Sequence, residues 1–281
     1  MAGAAALASA AAGTAISQTR PPSPATSAGQ AGPAAGATVR PPRLKPGDTI
    51  GLIEPASATF EADILQISVE VVEAMGFKAR LAPHADDRYG YLAGKDEDRA
   101  RDVNQFFADP TVNAVMAVRG GWGCARLLPH IDFATIAKHP KILVGYSDLT
   151  ALLLAVHART GLVTFHGPMG VSTWNAFNLD SFRRVLVGAE AVTFENVHEI
   201  KDTLVQVDNR IQTITPGLAR GSLLGGNLTV LAGIVGSGYL PDFSGAILFV
   251  EEVEESIYRV DRLLTQLALA GILGRLRGVV F

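Results

Sequence analysis

Residues 141–150 read Lys-Ile-Leu-Val-Gly-Tyr-Ser-Asp-Leu-Thr, and this stretch sets the fold expected for the rest of the sequence. Its apolar half, 141–145, predicts a buried β-strand, and residues 149–159 predict an apolar helix. Ser147 lies in the sharp turn between them, as the serine of a nucleophile elbow does. The second glycine of the usual Gly-x-Ser-x-Gly pattern is absent, so a mere helix cap by Ser147 or Asp148 is the competing interpretation.

Short apolar strands alternate with amphipathic helices on both sides of this stretch. Strands are predicted at 49–53, 78–81, 112–118, 141–145 and 162–165, with helices between them, including 60–75 and 96–107. This alternation is typical of right-handed βαβ units and of a parallel sheet covered on both faces. We therefore predict an α/β fold whose N-terminal domain is flavodoxin-like or Rossmann-like.

Three unusual tripeptides each follow a predicted strand. They are Gly-Gly-Trp at 120–122, Tyr-Ser-Asp at 146–148 and His-Gly-Pro at 166–168. Ligands of open α/β sheets bind outside the carboxyl ends of the strands, so we expect these tripeptides to share one edge of the sheet.

Two further segments follow in the second half of the chain. The apolar run 245–250 predicts a strand that ends at Glu251, the first of four carboxylates at 251–255. Such carboxylates usually form a solvated face, but Glu251 directly follows the buried run and is placed to orient a histidine. The glycine-rich residues 220–227 precede an apolar helix at 228–235, but they lack the Lys-Ser/Thr ending of a phosphate-binding loop.

Composition excludes several classes of function. The 281 residues are 48% apolar and 18% charged, which excludes a disordered chain. The net charge of −3 without a Lys/Arg cluster argues against nucleic-acid binding. No run reaches the roughly 18 strongly apolar residues of a membrane span. One cysteine and six histidines without ligand spacing predict neither a disulfide nor a metal site.

The first forty residues differ from the rest, with fifteen alanines and no acidic residue. They resemble the apolar region of an export signal whose charged start is missing, which predicts a late start codon or a fragment. A disordered tail and a transit peptide are the alternatives. An exported chain is expected in the periplasm, and otherwise in the cytoplasm. The predicted divisions are 1–42 as signal-like segment and linker, 43–168 as nucleophile domain, 169–210 as crossover and 211–281 as C-terminal domain.

Five ordered motifs carry a family resemblance. They are Arg119-Gly-Gly-Trp-Gly123, Gly145-Tyr-Ser-Asp-Leu-Thr150, Phe165-His-Gly-Pro168, Gly225-Gly-Asn227 and Leu248-Phe-Val-Glu-Glu252. In this order they resemble the LD-carboxypeptidases, serine peptidases that remove the terminal D-alanine of murein tetrapeptides. The same family includes microcin C immunity peptidases. The resemblance runs from about residue 44 to residue 281.

The resemblance implies roles for particular residues. Ser147 matches the nucleophile and Glu251 the triad glutamate, with Glu252 as the alternative. The resemblance also implies oxyanion donors and a substrate pocket, with these residues: Asp148 and Gly120 or Gly121 as N–H donors, and Arg119, Trp122 or His166 lining the pocket. It further implies a muropeptide substrate, no metal or organic cofactor, no stable membrane insertion and a homodimer.

One departure from the family pattern concerns the triad histidine. In the family it lies in a Gly-His context tens of residues after the glutamate, whereas this sequence ends at Val279-Val280-Phe281. The sequence therefore predicts that these 281 residues are nearly inactive and that the C-terminal domain is incomplete, with truncation of a longer sequence as the preferred explanation. The alternatives are a non-catalytic muropeptide-binding protein, His166 as substitute base, or a Rossmann-type oxidoreductase.

Overall fold

The computed structural model describes residues 38–195, 204–206 and 210–281. The export-signal prediction and part of the predicted crossover lie outside the described residues. The described strands are β1 Thr49–Ile53, β2 Lys78–Leu81, β3 Ala114–Ala117, β4 Ile142–Gly145, β5 Phe165–His166, β6 Leu223–Asn227, β7 Ile247–Glu251 and β8 Gly278–Val280. The α-helices are α1 Ala62–Ala74, α2 Asp96–Ala108, α3 Cys124–Leu127, α4 Phe133–Lys138, α5 Leu149–Thr160, α6 Ala176–Phe182, α7 Leu228–Gly233 and α8 Ile257–Leu269.

The first five strands form one parallel sheet in the order β2-β1-β3-β4-β5. Every residue of β3 and of β4 is buried, as expected for parallel strands covered on both faces. The strand order is that of the flavodoxin-like sheets, whose topological switch point lies between β1 and β3. The predicted α/β fold with an N-terminal parallel sheet is thus confirmed.

Two apolar clusters cover the two faces of this sheet. One includes Leu65 and Val72 of α1 and Phe182 of α6. The other includes residues of α2, α5 and α7, and it continues into Leu248 of the second sheet. Helix α5, which begins directly after Ser147, therefore packs between the two sheets and is buried along most of its length.

The second sheet contains β6, β7 and β8, all parallel. Its first strand lies within the glycine-rich residues 220–227, for which the sequence analysis predicted no strand, and Leu223–Asn227 pairs in register with β7. Glycine is depleted in strands in general, but Gly226 lets β6 pack closely against α5. A Cβ on Gly226 would lie 2.4 Å from Oγ1 of Thr150 in α5, and that hydroxyl accepts a hydrogen bond from the Asn227 N–H at 2.9 Å.

Two segments differ from the sequence-based expectation. The strand predicted at 162–165 is shorter and later, at Phe165–His166, because the backbone of Val163 pairs instead with Val39 at 2.8 Å. Val39 belongs to the segment predicted as linker. Within the predicted crossover, α6 and the following turn pack on the sheet, and the carbonyl oxygen of Leu186 accepts a hydrogen bond from the Leu44 N–H. Among the described residues, no helix has both the length and the apolarity that a bilayer crossing requires.

Candidate active site

A cavity of about 380 Å³ opens at the carboxyl ends of the central strands. Each wall comes from a loop that follows a different strand, with Glu61 after β1, Arg119 after β3, Ser147 after β4 and Met169 after β5. The remaining lining residues are Ile64, Gly120, Gly121, Tyr146 and Val171. The cavity thus includes the switch point between β1 and β3, where ligands of this sheet topology bind.

Ser147 has the backbone geometry of a nucleophile elbow. Its φ is +61°, in the left-handed region that non-glycine residues rarely adopt. Holding a serine in this conformation costs about 1–3 kcal/mol of backbone strain. Packing of the buried strand before it and of the buried helix after it offsets this cost. The turn makes Ser147 part of the cavity wall while Leu149 and the rest of α5 stay in the core.

The glycine turn after β3 lies directly against Ser147. A Cβ on Gly120 would come within 3.1 Å of the Ser147 Oγ and 3.6 Å of the Asp148 main-chain nitrogen. Gly121 has φ of +117°, and a Cβ there would lie 2.3 Å from the Ser57 Oγ. A side chain at Gly120 would fill the space beside the Ser147 hydroxyl, so this glycine keeps that space open, whereas a side chain at Gly121 would collide with Ser57.

Asp148 joins the serine turn to the glycine turn. Its side chain is fully buried, and its Oδ2 accepts a hydrogen bond from the Cys124 N–H at 2.7 Å. Among the described residues, its Oδ1 has no hydrogen-bond partner. Burial raises the pKa of this carboxyl, although hydrogen bonds from the main chain of Cys124 act against the rise.

Buried Arg99 holds the loops beneath the same turn. Its guanidinium donates to the carbonyl oxygens of Pro55, Gly94 and Gly123, and it pairs with Asp96. Three loops at the edge of the sheet are therefore fixed by one side chain of α2. These contacts give the serine and glycine turns a rigid support.

Glu251 and Glu252 have different surroundings. Glu252 accepts hydrogen bonds from the N–H and the hydroxyl of Thr229, at 2.9 and 2.6 Å, and from the Asn227 amide at 3.2 Å. Although burial acts to raise it, these bonds lower the pKa of Glu252. Burial raises the pKa of Glu251, a hydrogen bond with Asn227 acts against the rise, and the neighbouring Glu252 carboxylate adds to it. Among the described residues, the Glu251 Oε1 has no hydrogen-bond partner.

His166 lies opposite Glu251. The distance from its Nε2 to the Glu251 Oε1 is 3.9 Å, which is too long for a hydrogen bond. Its ring packs edge-on against Phe249 and Tyr146, with centroids 5.2 and 6.2 Å away. Burial lowers the pKa of His166 to about 4, so the ring is neutral near neutral pH.

The buried neutral ring predicts a pH effect on stability. Because the folded-state pKa of His166 is about 4 and lies below the ordinary value, the stabilising contribution is present at neutral pH and is lost as the pH falls toward that value. Between about pH 7 and about pH 5, the free energy of unfolding should fall by about 2 kcal/mol more in the wild type than in His166→Gln. Urea unfolding at several pH values measures this difference, and parallel curves for the two proteins would contradict it.

Comparison with known proteins matches both halves of the described chain to one family. Residues 50–167 match the profile of the LD-carboxypeptidase N-terminal domain, and residues 220–281 match that of the LD-carboxypeptidase C-terminal domain. A probable murein peptide carboxypeptidase of Bacillus subtilis is 38% identical over 86% of this chain and 73% of its own length. The chain belongs to the LD-carboxypeptidase family. The resemblance inferred from the five motifs is therefore confirmed.

Solved structures of LD-carboxypeptidase relatives share the fold. A muramoyltetrapeptide carboxypeptidase from Oxalobacter formigenes has a TM-score of 0.68 and 34% identity, covering 82% of this chain and 75% of its own. An MccF-like protein from Bacillus anthracis has a TM-score of 0.74 and 26% identity, covering 86% of this chain and 79% of its own. The family is one of serine-type carboxypeptidases, which are hydrolases.

The structure brings some of the predicted site residues together and separates others. Ser147, Gly120, Gly121 and Arg119 share the cavity. Trp122 and His166 are not part of its described wall. The Trp122 side chain is 43% exposed, and the main-chain N–H of this residue donates a hydrogen bond to the Ser57 Oγ. Tyr146 was expected at this edge of the sheet only as part of the tripeptide 146–148. The lining residues that were not predicted from the sequence are Glu61, Ile64, Met169 and Val171. No pattern marks Glu61, since an acidic residue ahead of a helix is common.

Proposed function

We propose that this LD-carboxypeptidase removes the terminal D-alanine of murein tetrapeptides. Ser147 attacks the carbonyl carbon of the substrate residue that precedes this D-alanine. The observation that carries this proposal is the left-handed turn that puts Ser147 into the wall of the switch-point cavity. A catalytic serine must be exposed at the top of the sheet while its flanking strand and helix are buried. Ser147 is half-buried and lines the cavity, and the strand before it and the helix after it are buried.

The proposed first step forms an ester between Ser147 and the substrate. The Ser147 oxygen attacks the carbonyl carbon, and the N–H groups of Asp148 and of the Gly120–Gly121 turn stabilise the oxyanion. The bond to D-alanine breaks, and its nitrogen takes up a proton. Water then hydrolyses the ester and returns the proton to Ser147. No metal or organic cofactor enters this scheme.

We propose Glu251, rather than Glu252, as the carboxylate that orients a histidine. Glu252 is committed to Thr229 and Asn227, whereas the Oε1 of Glu251 has no hydrogen-bond partner among the described residues. The residues after Glu251 in this sequence include no histidine. We therefore propose that these 281 residues bind the peptide but release D-alanine very slowly.

The cavity beside Ser147 is also compatible with a second candidate function. A non-catalytic muropeptide-binding protein would retain the cavity and would not need the triad. A microcin-C-type immunity peptidase is the other alternative, since an MccF-like protein is among the structural relatives. A peptide that ends in D-alanine distinguishes the murein-directed functions from an immunity function.

The test is incubation of the full chain with L-Ala-γ-D-Glu-L-Lys-D-Ala, with D-alanine and the tripeptide quantified by mass spectrometry. We expect slow release from this peptide and none from the same peptide ending in L-alanine. Equilibrium binding of both peptides is measured in parallel by calorimetry. The binding-protein function is favoured by binding without release, and absence of both contradicts any murein-directed function.

Assembly and location are separate proposals. We propose a homodimer on the basis of family membership, which sedimentation equilibrium would contradict by giving a mass near 29.5 kDa. We also propose export to the periplasm, supported by the alanine-rich and acid-free opening of the chain. An intact Met1 on the protein from its native host would contradict export and favour the cytoplasm.

A further inference from the structure

Two side chains of opposite charge line the same cavity as Ser147. Arg119 supplies a cation from the loop after β3, and Glu61 supplies a carboxylate from the loop after β1. The other lining residues carry no charge. A ligand that fills this open cavity of about 380 Å³ therefore meets one positive and one negative group.

Arg119 is partly buried and retains unused donors. Its Nη1 donates to the Ala58 carbonyl oxygen at 3.3 Å, and among the described residues it forms no ion pair. Buried Glu54 attracts the guanidinium, but the Glu54 carboxylate accepts its hydrogen bonds from Thr59. A guanidinium with free N–H groups in a cavity is suited to a carboxylate, which it can bind through two parallel hydrogen bonds.

Glu61 is a carboxylate without a partner in the described part of the chain. It directly precedes α1, yet its side chain makes no capping hydrogen bond to that helix. Its main-chain oxygen accepts a hydrogen bond from the Ile64 N–H at 3.2 Å, and the residue is exposed. The carboxylate is therefore free to bind a cationic group in the cavity.

We propose that Arg119 and Glu61 recognise the two charges at the C-terminal end of the substrate. Arg119 binds the carboxylate of the terminal D-alanine, and Glu61 binds the side-chain ammonium of a diamino acid that precedes it. This inference rests on the proposed function and assigns two residues of this chain to recognition of its substrate. An acidic side chain at the same substrate position would be repelled by Glu61, so the cavity selects against it.

The test is calorimetric titration of the full chain carrying Ser147→Ala, so that no peptide is consumed. The ligands are L-Ala-γ-D-Glu-L-Lys-D-Ala and the same peptide with norleucine in place of lysine. We expect norleucine to weaken binding about fivefold, since one partly exposed charge pair is lost. Adding Glu61→Gln should weaken binding of the lysine peptide by the same factor and leave the norleucine peptide unchanged.

Asp63→Asn is the matched control, because it removes the same charge from the first turn of α1 and does not line the cavity. We expect it to preserve the ratio of the two dissociation constants. Arg119→Gln should weaken binding of the free-acid peptide and have no effect on the peptide ending in D-alanine amide. Equal binding of the lysine and norleucine peptides, or equal effects of Glu61→Gln and Asp63→Asn, overturns the inference alone. Absence of binding by every peptide overturns the proposed function as well.

Discussion

The 281-residue chain is expected to release D-alanine from a murein tetrapeptide about 10⁶-fold more slowly than a serine peptidase with a complete triad, because no histidine follows Glu251. Without a general base, the Ser147 hydroxyl is a weak nucleophile near neutral pH. The measurement is the turnover number at saturating peptide, with the muramoyltetrapeptide carboxypeptidase of Oxalobacter formigenes assayed under the same conditions.

A rate within about tenfold of that relative would contradict this expectation, as it exceeds what an oxyanion site alone supplies. His166 would then be the residue to replace, since it is the histidine opposite Glu251. Loss of the rate in His166→Ala, with retention of binding, would assign the base to His166. An unchanged rate in His166→Ala would exclude it.

Replacing Ser147 by alanine is expected to reduce acylation of the chain by a p-nitrophenyl ester to below about one thousandth of the wild-type rate. Nitrophenolate leaves without a proton, so this reaction depends on the serine and the oxyanion donors more than on a histidine. The measurement combines nitrophenolate release with location of the acyl group by peptide mass spectrometry.

Ser244→Ala is the control for the ester assay, because Ser244 lies on the surface and its hydroxyl is bonded to Asp242. We expect this variant to be acylated at the wild-type rate. Acyl groups found on a residue other than Ser147 in the wild type would contradict the assignment of the nucleophile. Alanine adopts the left-handed backbone conformation of residue 147 as readily as serine does. The comparison of Ser147→Ala with the wild type therefore reports the loss of the hydroxyl oxygen alone.

The large sheet and the position of Ser147 could be predicted because both depend on local patterns. The strands at 49–53 and 78–81 have the predicted bounds, since each is a short apolar or β-favouring run closed by a turn. A serine between a buried strand and a buried helix has few conformations available. The flanking residues left a helix cap as the competing interpretation, and the left-handed φ of +61° at Ser147 is what the structure adds.

The remaining features depend on contacts between distant segments. The strand at 223–227 contains Gly225 and Gly226, which locally favour a loop, and its conformation is set by β7 and by Thr150. Glu61 becomes a cavity residue only because the loop after β1 crosses the switch point. No spacing along the chain encodes either contact, so the sequence alone does not reveal them.

Glu251 and Glu252, at the end of β7, complicate the interpretation of an alanine scan of this protein. Glu252 fixes the start of α7, so losing it disturbs the strand end that carries Glu251. Both substitutions would then lower any rate that depends on Glu251, and a screen that records that rate alone would score them alike. Measuring melting temperature beside activity separates the residue that maintains architecture from the residue available for chemistry.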